Sequence, residues 1–230
     1  MRIFRKLLLL VVYVLVAALV TTFVQVLLLR WHDPQNTAWM RMRVRESRAE
    51  GKELTIRHTW VPLKAISPPM KAAVVAAEDD GFFQHHGFDW DAMRKAHELN
   101  EKKERIKRGG STITQQLAKN LYLSPSRSYW RKGREAVITV VMELVLPKDR
   151  ILELYLNSIE FGPGIFGVEE AARHYFNISA RQLSLYQCCQ LAAIIPAPLR
   201  YKTGGPYVNR RAGNIARIIG GGNALPDSTD

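Results

Sequence analysis

The sequence predicts a mainly α-helical domain carried behind a single apolar helix at its N-terminus. Leu7 to Leu29, LLLLVVYVLVAALVTTFVQVLLL, is an unbroken run without formal charge. Beyond Thr55, apolar residues recur at helical spacing in segments bounded by Gly and Pro. Strand-like alternation is scarce, and no internal repeat is visible.

The first element is the apolar run. About 20 apolar residues cross a bilayer as a helix, so this run is long enough. Arg2, Arg5 and Lys6 precede it, and Leu27-Leu28-Leu29-Arg30-Trp31 ends it. A cleaved signal peptide would have an apolar core of about 7–15 residues and a small-residue cleavage site, so a retained anchor is the better reading. Removal of residues 1–30 is then expected to leave a domain that folds. Charge orients the span weakly, because Arg30, Arg41, Arg43, Arg45 and Arg48 lie on its far side; the N-terminus is expected in the cytoplasm.

Residues 30–54 read as an Arg-rich juxtamembrane segment near anionic headgroups, and residues 55–203 as the compact domain. Within it, Pro68-Pro69 precedes the short apolar helix MKAAVVAAEDD, stopped by Gly81. Gly109-Gly110 opens the helix STITQQLAKNLYL, where Ser111 or Thr112 is the cap and Thr112 with Gln115 fits a capping box. Arg127 to Leu146 forms a long amphipathic helix stopped by Pro147, and Asp149 caps RILELYLN. Glu169 to Tyr175 and Ser184 to Ile195 are two more helices, the last ended by Pro196 and Pro198. Residues 204–230 read as a Gly-rich, partly disordered tail.

Composition bounds the function. With 33 Lys and Arg against 21 Asp and Glu the net charge is +12, which suits a polyanionic partner: nucleic acid, anionic lipid or a phosphorylated substrate. Cys188 and Cys189 are adjacent in an apolar run, where neighbours rarely bridge, so they read as small core residues.

The chemistry starts at Glu78, Asp79 and Asp80. Three acids at the C-terminal end of a helix oppose its dipole, and such violations of local rules concentrate at functional sites. Phe82 and Phe83 follow and offer an apolar wall that raises a carboxylate pKa and suits a general base; the bland alternative is a solvated helix end. Ser111, Gln115 and Lys119 stand at i, i+4 and i+8 on one helical face, and a helix N-terminus with a hydroxyl and a nearby lysine suits a phosphate. Arg127, Arg131 and Glu135 form a second row, with Lys132 beside them; its bland reading is an exposed Arg131–Glu135 pair. Joined, the rows offer cations for a pyrophosphate and two carboxylates, Glu78 and Glu135, for glycosidic chemistry. His85, His86 and Asp89 read as motif scaffold ahead of a metal site, since adjacent histidines seldom share one ion.

AAEDDGFFQHHGFD, GGSTITQQLAKNLYL, RKGRE and ILELYLNSIEFG, in this order, resemble the successive motifs of the bacterial peptidoglycan glycosyltransferases, from about Val61 to Arg200. With no Ser-x-x-Lys anywhere, the chain resembles the monofunctional members and not the bifunctional penicillin-binding proteins. The resemblance implies a lysozyme-like fold and inverting transfer of a growing glycan chain, carried on undecaprenyl pyrophosphate, to the 4-hydroxyl of lipid II. It implies Glu78 as base and Glu135 as the second carboxylate. Lys119 and Arg127 would hold the pyrophosphate. Arg131, Lys132, Ser111, Gln115 and Asp79 would line the substrate channel. It further implies no obligatory cofactor, with a divalent cation such as magnesium or manganese admissible at the pyrophosphate. The expected partners are the membrane and other cell-wall synthesis proteins, not nucleic acid; the expected place is the inner membrane, with the catalytic domain periplasmic. Two other classes stay open: a lysozyme-like hydrolase or lytic transglycosylase, and a non-enzymatic basic anchored binding protein. The segment DWDAMRKAHELNEKKERIKRGG departs from the resemblance: it is strongly charged where the family is often more apolar and close to the membrane.

Overall fold

The structure, a computed structural model, describes residues 2–101, 110–124, 126 and 128–221. Ten helices form among them: α1 (Arg2–Leu28), α2 (Ala38–Ala49), α3 (Pro68–Glu78), α4 (Trp90–Glu101), α5 (Ile113–Tyr122), α6 (Tyr129–Val145), α7 (Lys148–Ser158), α8 (Val168–Phe176), α9 (Leu185–Ile194) and α10 (Pro206–Gly221). Three short strands, β1 (Arg57–His58), β2 (Glu160–Gly162) and β3 (Ile165–Phe166), make a small sheet in the order β1-β3-β2. β1 runs parallel to β3, with Arg57 opposite Ile165, and β2 runs antiparallel to it with a bulge between Glu160 and Gly162. The mainly helical class expected from the sequence is the class observed.

The core forms around α9, which is apolar on nearly every face. Cys188, Cys189 and Leu191 to Ile194 are fully buried in it, and α3 and α10 pack against it. Ser184 and Gln187 close a capping box at its start, which satisfies two of the free amides there. Both cysteines are free, as their adjacency implied. A second group joins α5 to α6 and α7. α3 starts at Pro68, whose fixed φ suits a first helical position and whose missing N–H costs nothing there.

Four expectations change. First, the segment after residue 204 is not a tail up to Gly221. α10 buries Val208, Ala212 and Ile215, which stand at i, i+4 and i+7; the glycines masked an ordinary amphipathic stripe. Residues 222–230 lie outside the described residues. Second, residues 30–54 belong to the domain. α2 packs against α5, Met40 is buried, and Trp39 and Arg43 both donate to the buried Glu160 at 3.1 and 2.8 Å. Third, α5 starts at Ile113 because Thr112 takes the cap, so Ser111 precedes the helix. Fourth, Pro147 and not Asp149 occupies the cap of α7, leaving Asp149 in the first turn, where its charge favours the dipole.

α1 is long and apolar enough to cross a membrane, and the apolar window within it is not buried in the protein. Its last turn is attached to the domain. Val26 and Leu29 are buried, Tyr122 donates to the Gln25 carbonyl at 3.3 Å, and Arg150 donates to the Leu29 carbonyl at 2.8 Å. Arg150 also reaches the His32 carbonyl and the Asp33 carboxylate.

Candidate active site

Glu78 is the last residue of α3, and its side chain is nearly closed off from solvent. Three groups converge on it. Gln116 of α5 donates from Nε2 to Oε2 at 3.0 Å, and Arg211 of α10 donates from Nη2 to Oε1 at 3.2 Å. Lys119, one helical turn after Gln116, adds a positive field. Burial nevertheless dominates and raises the Glu78 pKa above the ordinary carboxylate value, with the negative Asp79 adding to it; Gln116, Arg211 and Lys119 pull it down only in part. The direction matches the one expected from an acid placed against an apolar wall.

Gln116 is itself held. The Tyr155 hydroxyl, fully buried on α7, donates to its Oε1 at 2.8 Å. A carboxylate only accepts, so Glu78 takes Nε2 and leaves Oε1 to the hydroxyl, which donates. Burial lifts the Tyr155 pKa well above its usual value, and the charges of Glu78 and Asp79 lift it further, so the phenol keeps its proton.

Asp79 solves the clash between acid and helix dipole in another way. Its Oδ2 accepts from the backbone N–H of Ile113 at 2.9 Å, the first helical residue of α5. The carboxylate left at the negative end of α3 thus sits at the positive end of α5. Its Oδ1 accepts from His85 Nε2 at 2.8 Å, while His85 Nδ1 accepts from the Gly87 N–H at 3.1 Å, which puts the ring proton on Nε2. Gly87 takes φ +91°, a conformation that favours glycine, and its carbonyl accepts from Thr112 Oγ1 at 2.7 Å. The motif from Asp79 to Gly87 is thereby tied to the start of α5 and places Glu78 beside it. Asp80 is exposed.

The cationic side of the site is built by α5 and α6. Lys119 is half-buried, with Nζ 5.0 Å from the centre of the Trp39 ring of α2. Burial lowers its pKa, Glu135 and Glu78 oppose that, and Arg131 and Lys132 reinforce it. Lys119 therefore lies within electrostatic reach of both carboxylates and both α6 cations. Glu135 is buried, accepting from Arg131 Nη1 at 2.5 Å and from Lys132 Nζ. The exposed-pair reading of Arg131 and Glu135 therefore does not hold. Arg127 lies outside the described residues.

Both Glu135 oxygens already accept from cations, and among the described residues no three His, Cys, Asp or Glu side chains gather as ligands for a metal ion. The donor set does not fit a divalent ion held by the protein.

The Ser111-Gln115-Lys119 row divides. Ser111 stands before the cap, and Gln115 is buried, its Oε1 accepting from the Thr112 N–H in the capping box. The amide that reaches Glu78 is Gln116, with Lys119 one turn further along α5. The capping box was itself the missed signal: it commits Gln115 and leaves Gln116 as the available amide. Tyr155 and Arg211 had no comparable signal, because each meets the site only through packing between helices distant in sequence.

A family model described as transglycosylase matches residues 47–218, a span that includes most of α10. A biosynthetic peptidoglycan transglycosylase of Azoarcus sp. (strain BH72) is 51% identical over 194 residues, 84% of each chain. One from Herminiimonas arsenicoxydans is 45% identical over 226 residues, 96% of this chain and 98% of the relative. One from Aeromonas hydrophila subsp. hydrophila is 49% identical over 208 residues, covering 90% and 87%. A match over most of the chain, together with identity near half to relatives of similar length, establishes that this chain belongs to the transglycosylase family.

Proposed function

We propose that the chain is a peptidoglycan glycosyltransferase of bacterial cell-wall synthesis that polymerises lipid II. Its donor is the growing glycan chain on undecaprenyl pyrophosphate. The Glu78 carboxylate takes the proton from the acceptor's 4-hydroxyl as that oxygen bonds to the donor's anomeric carbon. The bond from that carbon to the pyrophosphate oxygen breaks with inversion, and the pyrophosphate leaves with the electron pair. Lys119 meets the charge that develops on it, with Arg131 and Lys132 held in place by Glu135; Arg127 belongs to the same clamp. Positive groups aimed at a leaving group are worth most in a site that excludes water. Asp79 fixes the turn that carries Glu78 and Gln115 caps α5, while Ser111, just before that cap, completes the channel. No step is routed through a metal ion.

The observation that carries this reading is the meeting of α5 and α6 at the site: Gln116 of α5 donates to Glu78, and Lys119, one turn later, is within electrostatic reach of Glu135, Arg131 and Lys132 on α6. A hydrolase of the lysozyme kind would also use a carboxyl with a raised pKa, but as an acid, and would have no use for the cations. The proposed setting is the inner membrane, spanned once, with the N-terminus cytoplasmic and the domain periplasmic, among other cell-wall synthesis proteins; the length and apolar character of α1 support an anchor. Labelled lipid II given to the purified full chain tests the proposal. Polymer supports it, cleaved glycan favours the hydrolase, and unchanged lipid II sinks both. Lys119→Ala and Arg127→Ala are each expected to lower turnover sharply without unfolding the protein; wild-type turnover in either removes that residue from the clamp.

A further inference from the structure

We infer that Trp39 of α2 is a positioning residue: its indole ring holds the ammonium of Lys119 in place for the leaving pyrophosphate without neutralising it. The inference rests on Lys119 being a contact of that leaving group. Lys119 Nζ lies 5.0 Å from the centre of the Trp39 ring. Among the described residues the Lys119 side chain makes no hydrogen bond and no ion pair. The ring is therefore what its ammonium rests on.

The kind of partner matters. A carboxylate would also hold a lysine, but it would cancel the charge and occupy N–H donors. α6 shows that case, because Arg131 and Lys132 both donate to Glu135. An indole face attracts a cation through its quadrupole, carries no net charge and leaves the ammonium donors unused. Lys119 thus keeps its charge and its donors for a phosphate oxygen, while a flexible four-carbon stem is held still beforehand. The ring itself is fixed. Trp39 Nε1 donates to Glu160 Oε2 at 3.1 Å, and Arg43 Nε donates to the same oxygen at 2.8 Å, with its guanidinium 5.3 Å from the ring centre. Glu160 is buried on β2, and α2 packs against α5, which carries Lys119. A residue that only filled space between α2 and α5 would need none of this edge-on bonding. Trp39 also lies ahead of residues 47–218, so this support reaches the site from outside the span that matches the family.

The test uses the full chain in detergent and has two arms. In the first, lysines are dimethylated with 13C-formaldehyde, which keeps their charge, and the Lys119 signal is the one that Lys119→Arg removes. Methyl groups over an indole face are shifted upfield by the ring current. The Lys119 signal is expected upfield of those of exposed lysines, and Trp39→Leu is expected to return it among them. A signal that Trp39→Leu does not move overturns the contact. In the second arm, turnover of labelled lipid II is measured in a double-mutant cycle with unmethylated protein. Trp39→Leu is expected to lower turnover about tenfold in the wild-type background and to cost nothing further in Lys119→Ala. Trp39→Phe keeps a weaker aromatic face, and serves in the cycle if Trp39→Leu does not fold. Its loss is expected to be smaller and likewise absent in Lys119→Ala. An equal drop in both backgrounds, or no drop in either, overturns the inference and reduces Trp39 to packing, while the clamp stands on Lys119→Ala alone. If the wild type makes no polymer, or Lys119→Ala polymerises at the wild-type rate, the reading of the site fails and the inference fails with it.

Discussion

At the scale of single residues, the site turns on a carboxylate that the protein keeps partly desolvated. Glu78 holds its proton more tightly in the fold than in the unfolded chain, because burial outweighs Gln116, Arg211 and Lys119. The folded protein therefore loses stability as pH rises from the unfolded value of 4.5 through the raised folded one. Glu78→Gln removes that loss. The variant is expected to unfold at a higher temperature than wild type at pH 8, with the gap closing toward pH 4, while lipid II turnover falls ~10²–10⁴-fold. A variant that polymerises at near-normal rate would remove Glu78 from the role of base and leave it a structural partner of Gln116 and Arg211. Tyr155→Phe tests the hydroxyl that orients Gln116. Losing one hydrogen bond costs about 1 kcal/mol, roughly a fivefold drop in turnover. The Gln116 contact lowers the Glu78 pKa, so the acidic limb of the pH–rate profile is expected to move to higher pH. A drop in thermal stability with the limb unmoved would reduce Tyr155 to packing.

At the scale of elements, α2 shows how the segment that follows the apolar helix becomes part of the domain. Trp39 and Arg43 share one face, four residues apart, and both donate to Glu160 on β2. Burial raises the Glu160 pKa against the pull of Arg43 and Trp39, and its Oε1 has no partner among the described residues. Such a pair is costly to break from one side only. Arg43→Ala is expected to destabilise the protein by about 3 kcal/mol in denaturant unfolding, and Glu160→Gln in the same chain is expected to recover much of it. Turnover should fall as well, because the same helix lays Trp39 beneath Lys119. Equal stability of Arg43→Ala and wild type would mean that the contact contributes nothing in solution.

At the scale of the whole molecule, the last turn of α1 and the helix α10 both pack onto the domain. Removal of residues 1–30 was expected from the sequence to leave a folding domain. The structure revises this, because Val26 and Leu29 lie in the core and Arg150 and Tyr122 bond to the carbonyls of Leu29 and Gln25. Removal of residues 1–20 is expected to leave unfolding in detergent unchanged. Removal of residues 1–30 is expected to cost about 3 kcal/mol or more, the burial energy of two aliphatic side chains. Identical unfolding of the two truncations would show that the last turn of α1 adds no stability. At the other end, α10 carries Arg211 back across 133 residues to Glu78, so the helix that completes the core also supplies a partner of the base.

The sequence alone determined the helical class, the apolar N-terminal helix, the capping box of α5 and the acid at the end of α3. These are local matters, set by periodicity, by cap chemistry and by the polarity of a helix end, all within a few residues of one another. The raised pKa of Glu78 was legible for the same reason. Tertiary structure decided which glutamine reaches Glu78, that Tyr155 holds it, that Asp79 belongs to the start of α5 and that Glu135 is sealed by its own cations. It also decided that Trp39 and Arg211 belong to the site. Those pairings depend on how each helix is rotated about its axis when its apolar stripe is buried, and no spacing along the chain specifies the rotation of one helix against another.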